Sequence, residues 1–535
     1  MAALHSATFK RGPAEGPYDA VVVGGGAVGG FAALLLTEAG LRVLVLDAGV
    51  ARSPLRKPLH WAVGRVVRRL ADPSGMRFIS PKLAYRGRAV LKILARRRQP
   101  IQSRCYAWER APDAFVDDIE CPYTTPPDKP FDWFRSRQLG GRLALPGHGR
   151  QYYRFSREDL SPADCLSPAW PFPPEELDPW YAQIERRLKL TGALDNIPHL
   201  PDSEIADIVV PTPAEAAAAE KLRARWPDIR IAAGRFAPPL NTLALASLSG
   251  RLRIRQGAIV RNVEVSESGR VRGVTWIDQA TGAEMQTAAP VVFLCASTLE
   301  TTRILMLSRS ERSPNGLGGA SKVLGHFLMD HLKIQADGIG PALPPGPIPQ
   351  EGRCLYLPRF DTREAQTEML GRSFVPGRGF GIQFYQSPAL GRQSYFIAVA
   401  FAEMLPRFEN KVEIDRSRKD AWGIPILHID CSYSEAELAM AEQQILALRE
   451  LAEAIGTSPI TVDTAPKAPG GASHECGTAR MGADAGNSVL NPHNECWDAR
   501  GLYVTDGACF PSQGSQNPTL TMLALTARAS HHLLR

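Results

Sequence analysis

A histidine and an asparagine late in the chain are the residues best placed to do chemistry. His474 opens the run HECGTARMG at 474–482, and Asn517 sits in GLYVTDGACFPSQGSQNPTLT at 501–521. A histidine titrates near neutral pH and can take the proton of a hydroxyl group. Asn517-Pro518-Thr519 reads as a helix start, with asparagine as N-cap and proline at the first helical position. Such a helix would aim unpaired N–H groups and partial positive charge at an electron-rich ligand. Asp506-Gly507 ends a strand in a turn, where a carboxylate can meet a cofactor's phosphate or sugar. On residues alone, a lone histidine of this kind is more often a satisfied loop residue, and Asn517 a plain cap.

A second group lies early. Gly24-Gly25-Gly26-Ala27-Val28-Gly29 supplies G-x-G-x-x-G between a valine-rich strand and a helix. Gly24 permits the tight turn, Gly26 lets a pyrophosphate approach the backbone, and Gly29 lets the helix pack close. The helix N-terminus then faces the phosphates. Asp47 ends the following strand, 21 residues after Gly26. An acid there suits ribose hydroxyls and disfavours a 2′-phosphate, so the fingerprint points to FAD or NAD without separating them.

These residues need elements to position them. Asp19–Val23 reads as a buried strand, Phe31–Ala39 as a helix stopped by Gly40, and Arg42–Leu46 as a second strand. A β pattern returns as LRIRQGAIVRNVEV from 252 and PVVFLCA from 290, and TLETTRILML at 298–307 reads as a helix. Alternating segments between 352 and 433 suggest an antiparallel sheet, and Glu435–Ile455 is an amphipathic helix. The last strand is expected at Gly501–Gly507 and the last helix at Pro518–Leu534. The expected class is therefore α/β: a discontinuous Rossmann-type dinucleotide domain with an α+β lobe built on an antiparallel sheet.

Composition is that of an ordinary globular chain. The 535 residues are 44% hydrophobic and 22% charged, with net charge +7, too little to imply nucleic acid. None of the nine cysteines forms a C-x-x-C pair, so no metal site or disulfide framework is signalled. The apolar run from Ala20 is interrupted by glycines and is no membrane span, and the N-terminal residues lack a secretion signal. A cytoplasmic location is the expectation.

Taken together, VVVGGGAVGG, HECGTARMG and GLYVTDGACFPSQGSQNPTLT resemble the glucose–methanol–choline (GMC) oxidoreductases. RSRQLGG at 135–141, LCASTLETTRIL at 294–305, GHFLMDH at 325–331 and EMLPRFENKVEID from 403 are similar to the same family, so the resemblance spans residues 18–533. The bacterial gluconate and fructose dehydrogenase large subunits and the pyranose-oxidase-like enzymes are the nearest in pattern. The resemblance implies FAD, an alcohol or sugar-like substrate, and a separate electron acceptor: oxygen, a quinone or a redox protein. It implies a catalytic His474–Asn517 pair. It extends the cofactor-binding set beyond Gly24, Gly26, Gly29 and Asp47 to Val28, Ala48, Arg137, Gly140, Gly141, Val260, Ala296, Asp506, Gly507, Asn517, Pro518 and Thr519. It also implies the division 18–160, 211–335 and 466–535 for the FAD domain, with 161–210 and 336–465 forming the substrate lobe. The alternatives are oxidation of a non-sugar alcohol and a non-catalytic FAD-binding subunit.

One departure bears on how FAD is held. Where some members carry a histidine bonded to the flavin, the ungapped match is Leu145, followed by Pro146, and His148 reaches the flavin only if the loop is longer. Non-covalent FAD is expected. His531 and His532 fall about four turns, roughly 20 Å, into the last helix and are expected on the surface. Trp133, Tyr152, Tyr153 and Trp170 could stack on a sugar ring, with core packing as their default. Residues 51–100 hold fourteen Lys and Arg against Asp72 alone, a net of +13. They read as a solvated face, or as a dock for an acidic redox partner.

Overall fold

The structure, a computed structural model, describes residues 17–50, 97–145, 150–162, 166–340, 352–360, 379–388 and 394–535. Residues 51–96 of the basic stretch and His148 lie outside these. Arg98, inside them, pairs with Asp117 and Glu120.

Five parallel strands form the first layer, in the order Leu502–Val504, Val291–Leu294, Ala20–Val23, Val43–Asp47 and Leu252–Gln256. Their near-continuous Val and Leu content fits strands covered on both faces. The helix Ala27–Glu38 packs on this sheet, and Gly30 lies where a Cβ would meet Thr242 Oγ1 at 2.2 Å. The helices Thr242–Ser247 and Thr519–Leu533 pack against it in turn. The expected strand over 252–265 is in fact two. Gly257, at φ +70°, breaks it, and Ala258–Val265 joins a separate three-stranded antiparallel sheet with Val271–Asp278 and Glu284–Ala288.

The second layer is a six-stranded antiparallel sheet ordered Ser458–Val462, Leu332–Gly340, Ser394–Ala402, Phe380–Pro388, Leu355–Leu357 and Ala232–Ala233. Its last strand comes from within 211–335, so that segment feeds both layers. Alternation along the strands sorts the two faces. Phe380, Ile382, Phe384, Phe396, Ala398 and Ala400 share a core with Leu448 and Leu451 of the helix Glu435–Ala454. Each such leucine contributes on the order of 1.5–3 kcal/mol by leaving water. The intervening residues, among them Gln383, Tyr385 and Phe401, are left for the opposite face, where Val399 and Phe401 pack with Ala472. The α/β class with a parallel Rossmann-type sheet and an antiparallel lobe is as expected. Among the described residues no helix is long and apolar enough to cross a membrane.

Candidate active site

A continuous cavity runs from the ends of the parallel strands to His474 and Asn517. Gly24, Gly26, Val28, Asp47, Ala48 and Val260 line one part of it; Arg137, Gly141, Ala296, Asp506 and Gly507 line it further; His474, Asn517, Pro518 and Thr519 complete it. Gly29 and Gly140 stand behind the lining. A Cβ on Gly29 would sit 1.8 Å from the Gly24 carbonyl oxygen. Gly140, at φ +88°, donates its N–H to the Gly25 carbonyl at 3.0 Å.

The residues present fit a dinucleotide. Gly26 is the N-cap of the first helix and offers no side-chain cap, so the helix N-terminus opens on the cavity. A Cβ on Gly26 would meet nothing nearer than Gly141 Cα at 3.9 Å, which marks open space in front of it. Arg137 stacks over Trp422 and pairs with Glu300 at 3.5 Å, yet its buried Nη1 has no hydrogen-bond partner among the described residues. A phosphate or ribose oxygen is the chemistry such a donor lacks. Asp47 is pushed up by burial, and its two oxygens accept the N–H groups of Gly25 at 2.6 Å and Gly49 at 2.7 Å. Each oxygen keeps a second lone pair for a ligand hydroxyl. Asp506 accepts from Thr301 Oγ1 and from Ala508 N–H, and burial pushes its carboxyl up to about 6.

At the other end, an antiparallel bridge between Met329 and Cys476 lays residues 326–331 beside 474–478. Ser473, just before His474, is held at φ +62°, a strained value for a side-chain-bearing residue. The buried Asp330 carboxylate brackets it by accepting the N–H groups of Ala472 at 3.0 Å and His474 at 2.9 Å. Burial, then the nearby Glu475, pushes Asp330 up to about 7. Glu475 forms a two-pronged pair with Arg142 at 2.9 and 3.3 Å, and both line the cavity.

His474 is half-buried, and its two ring nitrogens face different partners. Nε2 lies 3.1 Å from Asn517 Nδ2, and Nδ1 lies 2.8 Å from Nδ1 of the fully buried His331. Asn517 does not cap the last helix, contrary to the sequence expectation. Its Oδ1 accepts from Gln383 Nε2 at 2.6 Å and its Nδ2 turns to His474, so Pro518 takes the N-cap place and the helix begins at Thr519. The helix N-terminus, without a side-chain cap, faces the cavity through Pro518 and Thr519.

The remaining candidates divide. Trp133 and Tyr152 line the cavity, whereas Tyr153 stacks on Tyr356 and Trp170 joins an aromatic cluster with Phe155, Phe172 and Phe510. Leu145 is buried among Trp108, Phe115 and Phe134. His531 and His532 are exposed, against Trp180 and His493. Cys476 is fully buried with its thiol raised well above the ordinary value, so it is no nucleophile. Sequence reasoning missed His331, Gln383 and the Arg142–Glu475 pair. His331 was present in GHFLMDH, but nothing in the chain places that segment next to residue 474.

Comparison with known proteins bears on this arrangement. The family profile described as GMC oxidoreductase matches residues 406–526, the stretch that carries both His474 and Asn517. Over that stretch the chain is similar to the GMC oxidoreductases. It is 29% identical over 328 residues to 2-methyl-1,2-propanediol dehydrogenase of Mycolicibacterium austroafricanum, covering 56% of this chain and 58% of that protein. It is 24% identical to 6'''-hydroxyparomomycin C oxidase of Streptomyces lividus, over 98% of this chain and 93% of that one. The chain therefore spans little more than half of the first relative and nearly all of the second. In fold it is similar to pyridoxine 4-oxidase from Mesorbium loti, with a TM-score of 0.57 and 17% identity over 96% of this chain and 99% of that one. Likeness to the GMC family implies FAD, which the cradle at Gly24–Gly26 and the unpartnered Arg137 nitrogen fit.

Proposed function

We propose that the protein oxidises a CH–OH group of a sugar, glycoside, cyclitol or other polyol, with FAD bound non-covalently and His474 as the base. The observation that carries this reading is the His474–Asn517 contact of 3.1 Å in the same cavity as the dinucleotide cradle. When bound, FAD would supply the hydride acceptor, with oxygen, a quinone or a redox protein as the onward electron acceptor. His474 Nε2 takes the hydroxyl proton, and the Asn517 amide N–H orients the hydroxyl oxygen. The N-terminus of the helix Thr519–Leu533 places partial positive charge at the cavity, where negative charge is favoured. Trp133 and Tyr152 wall the cavity with aromatic surface. A small non-sugar alcohol is a second reading, favoured by the likeness to a propanediol dehydrogenase.

Anaerobic addition of a panel of sugars, cyclitols, polyols, small diols and monohydric alcohols tests this. Bleaching of the flavin absorbance by the polyhydroxylated members is expected, and bleaching by diols alone selects the second reading. A flavin untouched by every alcohol would overturn both.

Acid precipitation should release the FAD into the supernatant, because Leu145 is buried in an apolar cluster and offers no attachment atom. Flavin that stays with the pellet would reverse this and implicate His148.

Asn517→Asp should bring the base under a new negative charge. A carboxylate beside Nε2 stabilises the imidazolium, so His474 sheds its proton only at higher pH. The acid limb of the pH profile for flavin reduction should move upward. An unmoved limb would show that residue 517 does not face the titrating group.

A further inference from the structure

His331 has no part in the reading above, although it touches the proposed base. Its Nε2 lies 2.7 Å from the Gly514 carbonyl oxygen. A carbonyl only accepts, so Nε2 carries the hydrogen. Burial holds the ring well below the usual histidine range, at about 4, so the ring is neutral and its Nδ1 is bare. Gln513 Nε2, at 3.1 Å, donates to that Nδ1. His474 Nδ1, at 2.8 Å from the same atom, must therefore be a donor too. Neutral His474 then has its hydrogen on Nδ1 and a bare Nε2.

The opposite side reaches the same assignment through different residues. The Tyr385 hydroxyl donates to Gln383 Oε1 at 2.8 Å, and its oxygen accepts from Gln151 Nε2. Gln383 therefore turns its NH₂ to Asn517 Oδ1 at 2.6 Å. Asn517 is left presenting its own NH₂ to His474 Nε2 at 3.1 Å, an arrangement that needs Nε2 bare. Every donor in this series points the same way, from Gln151 to the Gly514 carbonyl.

We propose that His331 is a positioning residue: anchored on the Gly514 carbonyl, it holds His474 in the tautomer whose Nε2 carries no hydrogen and can take up a proton. This rests on His474 being the base. Once Nε2 is protonated, the Nδ1–H bond to His331 becomes charge-assisted and stabilises the imidazolium. The proton has no onward path through His331, whose other nitrogen already donates to a carbonyl. It leaves by Nε2, the way it came.

The test has two arms. In FAD-loaded protein labelled with ¹⁵N-histidine, with His474→Ala used to assign the signals, His474 should show a protonated Nδ1 and a bare Nε2. The reverse tautomer would overturn the proposal without any reference to activity. In the second arm, His331→Phe removes the acceptor, and His331→Asn restores one, since its Oδ1 stands near the lost Nδ1. Flavin reduction by alcohol should fall about 10²–10⁴-fold in the Phe variant with half-saturation little changed, because a wrongly held imidazole costs up to about 10⁴-fold in hydrolytic triads. The Asn variant should recover to within about tenfold of wild type, on the premise that a hydrogen-bond acceptor suffices to hold the tautomer. Equal impairment of both would assign a structural role alone, and impairment of neither would assign none; each result defeats the proposal. If the Phe variant does not fold, the Asn variant and the wild-type tautomer still decide. Should His474→Ala reduce flavin at the wild-type rate, the base reading falls while the tautomer measurement stands separately.

Discussion

His474→Ala protein will keep its FAD and its fold and lose flavin reduction by alcohol about 10²–10⁴-fold, the usual worth of a general base. The fold should survive because what orders this loop is main chain. Asp330 holds the backbone N–H groups of Ala472 and His474, and the Met329–Cys476 bridge follows directly. Removal of the imidazole leaves these intact and leaves the buried His331 still bonded to Gly514 and Gln513. Rapid-mixing reduction under nitrogen is the measurement. A variant reducing at near wild-type rate would remove His474 from the mechanism.

Gly29→Ala will yield colourless protein with a lowered melting temperature. A methyl group there meets the Gly24 carbonyl oxygen at 1.8 Å, so the turn that carries the cradle must shift or the helix must lift away. Gly26→Ala should separate the two effects. Its φ of −75° suits alanine, and the nearest atom to the new methyl is 3.9 Å away. The apoprotein should therefore melt close to wild type while FAD binding weakens, because the methyl fills the space a pyrophosphate would take. Visible flavin absorbance per protein, with apoprotein melting curves, checks both variants. A Gly26→Ala protein that binds FAD as tightly as wild type would move the cofactor away from this turn.

The parts legible in the sequence were those whose physics is local. The glycine spacing at 24–29, the strand-ending Asp47 and the helix at Thr298–Leu307 follow from turn geometry and periodicity within a few residues. The parts that escaped depend on what distant segments bring. Asn517 had the sequence of a cap, but Gln383, from a strand over a hundred residues earlier, competes for its oxygen and wins. His331 shows no pattern of its own, since its importance comes from a bridge to Cys476. Gly257 could have been read as a break, but the flanking residues continue the strand alternation, and only the sheet topology shows that they separate.

The order of the parallel strands also sets a schedule for synthesis. Ala20–Val23 leaves the ribosome well before one of its two neighbours, Val291–Leu294, and Leu502–Val504 comes later still. Until then its apolar face must wait, partnered only by Val43–Asp47. His474 and Asn517 arrive last of all the proposed catalytic groups. A nascent chain can thus assemble most of the nucleotide cradle before the proposed base is made. The cost of that order is a long exposure of hydrophobic strand edges, the condition under which growing chains most need chaperones.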